Sequence, residues 1–455
     1  MADGSFAGKR AVVVGLAREG LDLARFLAAR GAHVVVADRK PAAELAPQIA
    51  ALADQPDISY RLGGHAPGDL DHADVLFASP GVAPDNPLVV AAGQRGIPVS
   101  SLVALFFQLC PAPIIGVTGS AGKTTTTSLL GDILRRAGRH TVVGGNIGRP
   151  LLGELGGIRP SSWVVMELSS FQLETLPASP TIAVVTNVTP NHLDRHPSME
   201  AYWAAKGHIL AHQRSTDWAV LNADDAWTTR YRPRGRVRHF SLERPVAGAF
   251  LDGDRLVLGD ETLMAVPDVP LRGRHNLANV LAAAAAADTA GVTKEAIVAA
   301  ISAFQGVPHR LQTVAHWQGV QFVDDSIATA PERSIAALAA FQEPLVLLAG
   351  GRDKHLPMAD WARLIVRRVK HVVLFGEMAD LVAEAIRAAD PQYEYQRVSR
   401  ADTMDEAVAR AAAAAAPGDV VLLSPGGTSY DRYRDFEERG ADFARAVGLL
   451  GAAVP

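Results

Sequence analysis

Between Ile114 and Leu130 an apolar strand runs into a glycine turn and then into a helix, in the sequence IIGVTGSAGKTTTTSLL. In such a turn, backbone N–H groups, Lys123 and the Thr124 hydroxyl can surround the phosphates of a nucleoside triphosphate and its Mg²⁺ ion. The spacing is TGxxGKT, shorter than the general GxxxxGK[ST] loop, because Val117 stands five residues before Gly122. The alternative is a glycine turn that only joins a strand to a helix. The lysine and threonine in register favour a phosphate site at Gly119, Ser120, Ala121, Gly122, Lys123, Thr124 and Thr125.

Apolar strand-like runs alternate with helical patterns along the whole chain, which is typical of α/β folds built on parallel sheets. The length of 455 residues suggests several domains, and the pattern divides into three. We predict a Rossmann-like N-terminal domain at 1–108, a central P-loop ATPase-type α/β domain at 109–308, and a Rossmann-like C-terminal domain at 309–455. The alanine runs at 282–287 and 411–416 are predicted to form buried or half-buried helices.

Composition narrows the classes of partner. The 44 Lys and Arg residues nearly balance the 48 Asp and Glu residues, so nothing points to nucleic acid or to an acidic membrane surface. The single cysteine, Cys110, excludes an internal disulfide, and no apolar run has membrane-spanning length. We expect a cytoplasmic protein, a monomer, that acts on small molecules.

Ligands of open parallel sheets bind where strands end, so the residues after each strand are the candidates. Glu167 follows the apolar run WVVM and could complete a Mg²⁺ site with Thr124, although a surface cap is the alternative. His192 lies in the loop NVTPNHLDRH after another strand, and a metal or phosphate role there competes with a structural one.

In the first domain, Gly15, Ala17 and Gly20 form a GxAxxG turn, and Asp38 ends the next strand. That turn suggests a nicotinamide dehydrogenase, but alanine at its middle position weakens the fingerprint.

Nine strings, in this order along the chain, resemble the Mur ligase family of peptidoglycan precursor enzymes: TGSAGKTT, GGNIGRP, ELSSFQLE, NVTPNHLDRHP, AYWAAK, GRHNLANVLAA, GVPHR, DDSIAT and SPGGTSYDRYRDFEERG. The resemblance implies an ATP-dependent ligase that joins D-glutamate to UDP-N-acetylmuramoyl-L-alanine. A carboxylate would first take the γ-phosphoryl group of ATP, and an amine would then displace phosphate from the acyl phosphate.

The resemblance also implies roles for single residues. Lys123, His192 and Lys206 would be catalytic, and two Mg²⁺ ions would be held by Thr124, Glu167, His192 and Lys206, the last as a carbamate formed with CO₂. The remaining ATP contacts would come from Asn276, Asn279, Arg310 and Asp325. The UDP-linked substrate would bind at Leu16, Ala17, Asp38, Arg39, Gly81, Asn146 and His192. The amino acid would bind at Thr329, Lys354, Ser429 and Phe436.

One position departs from the family pattern. Many D-glutamate ligases have lysine in NDSKAT, where this chain has Ile327 in DDSIAT. Arg333 or Arg352 could replace the lost cation, or the site could take L-glutamate or another amino acid. The chain could also be a folylpolyglutamate-synthase-like ligase, which lacks the UDP domain, or a nucleotide-gated binding protein without metal chemistry.

Overall fold

The computed structural model of the chain describes residues 6–146, 151–191 and 195–452. The chain packs into two compact units, one of Met1–Pro270 with Arg274–Phe304 and the other of Leu271–Gly273 with Gln305–Pro455. The described residues form three sheets, two in the first unit and one in the second. The domain borders at 108 and 308 stay predictions, because the chain packs into two compact units and not into three.

The first sheet has five parallel strands in the described residues: β1 (Arg10–Val14), β2 (His33–Asp38), β3 (Ile58–Leu62), β4 (Val75–Ala78) and β5 (Val99–Ser100). Their order is β3-β2-β1-β4-β5, so the direction of winding reverses between β1 and β4. Its helices are α1 (Arg18–Ala28), α2 (Ala46–Ala50), α3 (Pro87–Gln94) and α4 (Leu102–Leu109). Ligands of such sheets bind at the switch point, which here is the turn after β1.

The central sheet is built from β6 (Ile114–Thr118), β7 (Thr141–Gly145), β8 (Trp163–Glu167), β9 (Ile182–Val185), β10 (Trp218–Asn222), β11 (Arg236–Ser241), β12 (Gly248–Asp252), β13 (Arg255–Leu258) and β14 (Glu261–Ala265). The order is β14-β13-β12-β11-β10-β9-β6-β8-β7. Strands β6 to β12 run parallel, and β13 and β14 add an antiparallel edge. Its helices are α5 (Lys123–Arg136), α6 (Ser170–Glu174), α7 (Met199–Ala211), α8 (Arg274–Thr289) and α9 (Lys294–Ala303).

Helix α8 confirms the prediction for the first alanine run. Residues 282–287 are all fully buried, and the helix packs against α5. Alanine side chains let two helices approach closely without a rotamer cost. The helix that begins at the phosphate loop therefore packs against a buried helix of the same unit.

The third sheet contains β15 (Gln312–Trp317), β16 (Val320–Asp324), β17 (Leu345–Gly350), β18 (Val369–Phe375), β19 (Val398–Ala401) and β20 (Val420–Gly426). Its order is β15-β16-β20-β17-β18-β19, parallel except for β15 at the edge. The helices around it are α10 (Pro331–Ala339), α11 (Ala359–Arg368), α12 (Ala379–Ala389), α13 (Pro391–Arg397), α14 (Met404–Ala414) and α15 (Phe436–Ala452). Strands β17 and β20 are buried along their whole length, so both faces of the sheet are covered. The second alanine run is helical as far as Ala414.

The described helices include none that is both long and apolar enough to cross a membrane.

Candidate active site

The predicted phosphate loop lies at the carboxyl edge of the central sheet. Strand β6 sits between β8 and β9, and residues 119–122 connect it to α5. The first N–H groups of a helix have no intrahelical acceptor and carry partial positive charge. The start of α5 at Lys123 therefore presents a site that suits phosphate oxygens.

Two glycines of this loop are required by its shape. Gly119 and Gly122 have φ angles of +153° and +81°, which L side chains rarely adopt. A Cβ on Gly119 would lie 1.9 Å from Thr186 Oγ1, and a Cβ on Gly122 would lie 2.1 Å from Asn279 Oδ1. The backbone of the loop therefore packs directly against neighbouring polar side chains.

The segment after β9 braces the loop, which the sequence did not indicate. The Ser120 N–H donates to the Asn187 carbonyl at 3.0 Å, and the Ala121 N–H donates to Asn187 Oδ1 at 2.9 Å. The Ser120 hydroxyl is 2.9 Å from the Thr189 carbonyl and 3.2 Å from Tyr202 Oη. Asn187 therefore accepts two N–H groups of the loop in this structure, and the N–H groups at the start of α5 are separate donors for phosphate.

Lys123 lies over the loop that precedes it. Its Nζ donates to the carbonyls of Gly119 at 2.9 Å and Ser120 at 3.2 Å. These two contacts fold the Lys123 side chain back over the glycine turn, so its ammonium group lies beside the loop. This position fits a point charge beside phosphates.

A pair of hard oxygen ligands lies beside Lys123. The Thr124 hydroxyl donates to Glu167 Oε2 at 2.8 Å, and the Asn146 amide donates to Glu167 Oε1 at 2.9 Å. Glu167 is the last residue of β8 and is only 2% exposed. A buried carboxylate whose oxygens accept hydrogen bonds from a hydroxyl and an amide fits a divalent cation such as Mg²⁺.

Lys206 is buried in the same place. It lies on α7, is 2% exposed, and donates from Nζ to the Gly119 carbonyl at 2.9 Å. The Tyr202 ring, one helical turn earlier, lies 4.5 Å from the ammonium nitrogen. Burial first, and then the nearby Lys123 charge, lower the pKa of Lys206 to about 6, while Glu167 acts in the opposite direction. The amine is therefore largely neutral at pH 7.

His192 lies outside the described residues, so its predicted metal and substrate roles stay predictions. Across the part of the chain that the structure describes, no three His, Cys, Asp or Glu side chains group as a metal cluster. Thr124 and Glu167 alone leave room in an octahedral Mg²⁺ shell for phosphate oxygens and water.

Asn276 and Asn279, the expected adenosine contacts, lie near the start of α8. Asn279 Nδ2 donates to Asn276 Oδ1 at 3.0 Å, and the Thr126 hydroxyl of α5 is 3.5 Å from Asn279 Oδ1. The two amides thus form one polar group beside the phosphate loop.

In the N-terminal domain, Asp38 organises the turn after β1. Its two carboxylate oxygens accept the Leu16 N–H at 2.8 Å and the Lys40 N–H at 2.9 Å. Leu16 itself is fully buried, while Arg39 is exposed. The structure thus brings Leu16, Ala17 and Asp38 together at the switch point of the sheet, and Gly81 lies in the loop after β4.

Arg18 links this turn to the central sheet. It follows Ala17, and its guanidinium donates to the Asn146 carbonyl at 3.2 Å, next to Glu167. A second link joins Glu19 to Gln172 of ELSSFQLE at 2.7 Å. Hydrogen bonds therefore connect the predicted site for the UDP-linked substrate to Glu167, a predicted metal ligand. Neither link was evident from the sequence.

In the second unit, Asp325 follows β16. Its oxygens accept the Ser424 hydroxyl at 2.9 Å and the Leu311 N–H at 3.3 Å. Burial raises the pKa of Asp325 to about 7, and its hydrogen bonds and the Arg310 charge oppose this shift. The expected pair of nucleotide contacts, Arg310 and Asp325, thus interacts electrostatically within this unit.

The predicted amino-acid site lies at loops of the same unit. Lys354 Nζ is 3.4 Å from Thr329 Oγ1. Ser429 is buried in the loop after β20, and the Phe436 carbonyl accepts the Ser326 hydroxyl at 2.8 Å. The loops that carry Thr329, Lys354 and Ser429 follow β16, β17 and β20, which are neighbours in the sheet.

Together, the three parallel-rich sheets of the described residues, the short phosphate loop and the buried carboxylate beside it are typical of an α/β enzyme that uses ATP. The Mur ligase MurD-like N-terminal domain matches residues 9–101, the Mur ligase middle domain residues 117–287, and the Mur ligase glutamate ligase domain residues 309–427. The chain belongs to the Mur ligase family, whose members are ATP-dependent ligases.

Its sequence relatives carry a more particular name. The UDP-N-acetylmuramoylalanine--D-glutamate ligase of Symbiobacterium thermophilum is 44% identical over 97% of this chain and 98% of its own length. The ligase of the same name from Roseiflexus sp. is 43% identical over 97% and 98%.

Solved structures agree with this fold. UDP-N-acetylmuramate-alanine ligase MurC from Thermotoga maritima has a TM-score of 0.61 at 19% identity, covering 97% of this chain and 99% of its own. MurF from Acinetobacter baumannii has a TM-score of 0.60 at 19% identity, covering 98% and 93%. The α/β fold of three Mur ligase domains is thereby confirmed.

Proposed function

We propose that this enzyme adds D-glutamate to UDP-N-acetylmuramoyl-L-alanine, at the expense of ATP, in peptidoglycan precursor synthesis. The observation that carries the proposal is the group formed by the phosphate loop, Glu167 and Lys206. It combines a site for a triphosphate with a buried carboxylate and a neutral amine. The relatives' names supply the substrates.

The first chemical step transfers the γ-phosphoryl group of ATP to the substrate carboxylate. Such a transfer depends on in-line positioning and on cancelling negative charge, more than on acid or base groups. Lys123 and the start of α5 supply positive charge to the β and γ phosphates. Thr124 and Glu167 would hold one Mg²⁺, which neutralises phosphate charge when bound.

Lys206 is assigned a role that its neutral state permits. A neutral amine adds to CO₂ and releases one proton, which gives a carbamate with a negative charge. That anion would support a second Mg²⁺ together with His192. The buried position on the Gly119 carbonyl, 2.9 Å away, would keep the carbamate beside the phosphates.

The acyl phosphate is then attacked by the amine of D-glutamate. A tetrahedral intermediate forms, phosphate leaves, and the amine gives up a proton as the amide appears. Thr329, Lys354, Ser429 and Phe436 are assigned to the amino acid, since a cation and hydroxyl groups suit carboxylates. Arg310, Asp325, Asn276 and Asn279 are assigned to the nucleoside.

The UDP-linked substrate is assigned to the turn after β1, with Leu16, Ala17, Asp38, Arg39, Gly81 and Asn146. The Arg18 bond to the Asn146 carbonyl supports this assignment, because it connects that turn to Glu167. We further infer a cytoplasmic monomer, since ATP and UDP-linked precursors are cytoplasmic metabolites and one chain carries every assigned residue.

The test measures phosphate release and product mass with ATP, Mg²⁺ and UDP-N-acetylmuramoyl-L-alanine. We expect phosphate release to require the UDP-linked substrate and D-glutamate together, with L-glutamate inactive. Phosphate release that needs neither cosubstrate would contradict ligase activity. A product with L-glutamate but none with D-glutamate would correct the stereochemistry alone.

A further inference from the structure

Two cations converge on one short segment of the second unit, residues 327–329 between β16 and α10. Lys354 reaches the Thr329 hydroxyl from the loop after β17, at 3.4 Å. Arg333, in the first turn of α10, donates from Nη1 to the Ile327 carbonyl at 3.2 Å. Both side chains are exposed, so a small molecule can reach them.

Neither cation has an anionic partner among the described residues. No carboxylate lies within salt-bridge distance of Arg333 or Lys354 there. Arg352, the other cation considered for this site, differs because it forms a two-pronged salt bridge with Glu377, at 2.8 and 2.9 Å. The charge of Arg352 is therefore already paired with a carboxylate of the protein.

The two free cations also influence each other. Partial burial, and then the nearby Arg333 charge, lower the pKa of Lys354. An anion bound between two like charges reduces the repulsion between them. A pair of cations beside a hydroxyl fits a ligand with two carboxylates.

We propose that Arg333 is a specificity-determining residue that binds the side-chain carboxylate of the incoming amino acid, in place of the cation absent at Ile327. This inference rests on the proposed function. The α-carboxylate lies next to the reacting amine, whereas the side-chain carboxylate extends away from it. An exposed arginine at the start of α10 suits the outer group, and its planar guanidinium can bind a carboxylate through two parallel hydrogen bonds.

The test compares D-glutamate with D-glutamine, which has the same shape but no side-chain charge. For Arg333→Gln we expect kcat/KM for D-glutamate to fall about 10- to 100-fold, the usual effect of losing a charge-assisted hydrogen bond. The value for D-glutamine should stay within about twofold. Arg333→Lys, which keeps the charge, should recover part of the loss.

Two further arginine variants serve as controls. Arg363→Gln removes an exposed arginine on α11 that pairs with Asp360, and should change kcat/KM for neither D-glutamate nor D-glutamine. Arg352→Gln tests the competing assignment. Equal losses for both substrates in Arg333→Gln, no loss for D-glutamate, or a charge-selective loss in Arg352→Gln would each overturn the proposal. Failure of the wild-type enzyme to use D-glutamate would instead contradict the proposed function.

Discussion

Replacing Lys206 with methionine should stabilise the protein while it abolishes ligation. Methionine has a similar length and no charge, so it removes the group whose burial is unfavourable. The pKa of Lys206 falls from 10.5 to about 6 on folding. Between these values the unfolded chain binds a proton that the folded protein lacks, so the stability of the wild type rises with pH across this window.

The magnitude follows from the size of the pKa shift. At about 1.36 kcal/mol per pH unit, giving up the proton costs the wild type about 5 kcal/mol at pH 7 and about 2 kcal/mol at pH 9. The variant loses the hydrogen bond to the Gly119 carbonyl, which lowers its stability by about 1 kcal/mol. We therefore expect Lys206→Met to be more stable by about 4 kcal/mol at pH 7 and by about 1 kcal/mol at pH 9.

The assay is calorimetric unfolding in CO₂-free buffer without ATP, so that no carbamate or ligand contributes. The transition that contains the central sheet should move up by roughly 5 to 10 °C at pH 7. Lys40→Met, at an exposed lysine, is the control and should not shift it. A variant that is no more stable than the wild type at pH 7, or a difference that does not shrink towards pH 9, would refute the reasoning.

Three further changes test other parts of the account. Gly119→Ala should raise the KM for ATP at least tenfold, because its Cβ would lie 1.9 Å from Thr186 Oγ1, whereas Gly93→Ala, with open space around it, should leave ATP kinetics unchanged. Glu167→Gln should raise the Mg²⁺ concentration for half-maximal activity about 10-fold or more, since it removes the charge of a metal ligand; an unchanged Mg²⁺ titration would exclude Glu167 from the site. The pKa of Asp325 is raised to about 7 in the folded protein, so its carboxyl makes the wild type less stable as the pH rises from 4 to 7. Asp325→Asn should reduce this loss of stability, and urea unfolding at pH 4 and pH 7 measures it.

The sequence predicted the parts of the site that local pattern determines. The phosphate loop and Glu167 both lie at the ends of apolar strands, and parallel strands bring their carboxyl ends to one edge. The burial of Glu167 follows from its place at the end of β8. These features depend on a few neighbouring residues, so one sequence is enough to find them.

Other features depend on contacts between distant segments. Asn187 takes two N–H groups of the phosphate loop, 66 residues away in the case of Ala121. Lys206 looks like a solvated helix residue in sequence, and only packing buries it. Its spacing of four from Tyr202 was the one local signal, since residues so spaced share a helix face.

The most direct test of the central claim follows oxygen from the substrate carboxylate. UDP-N-acetylmuramoyl-L-alanine labelled with ¹⁸O in its terminal carboxylate is incubated with enzyme, ATP, Mg²⁺ and D-glutamate, and the released phosphate is analysed by mass spectrometry. An acyl phosphate intermediate predicts one ¹⁸O atom in each phosphate released, in step with amide formation. Unlabelled phosphate would mean that water cleaves ATP, and would contradict carboxylate activation.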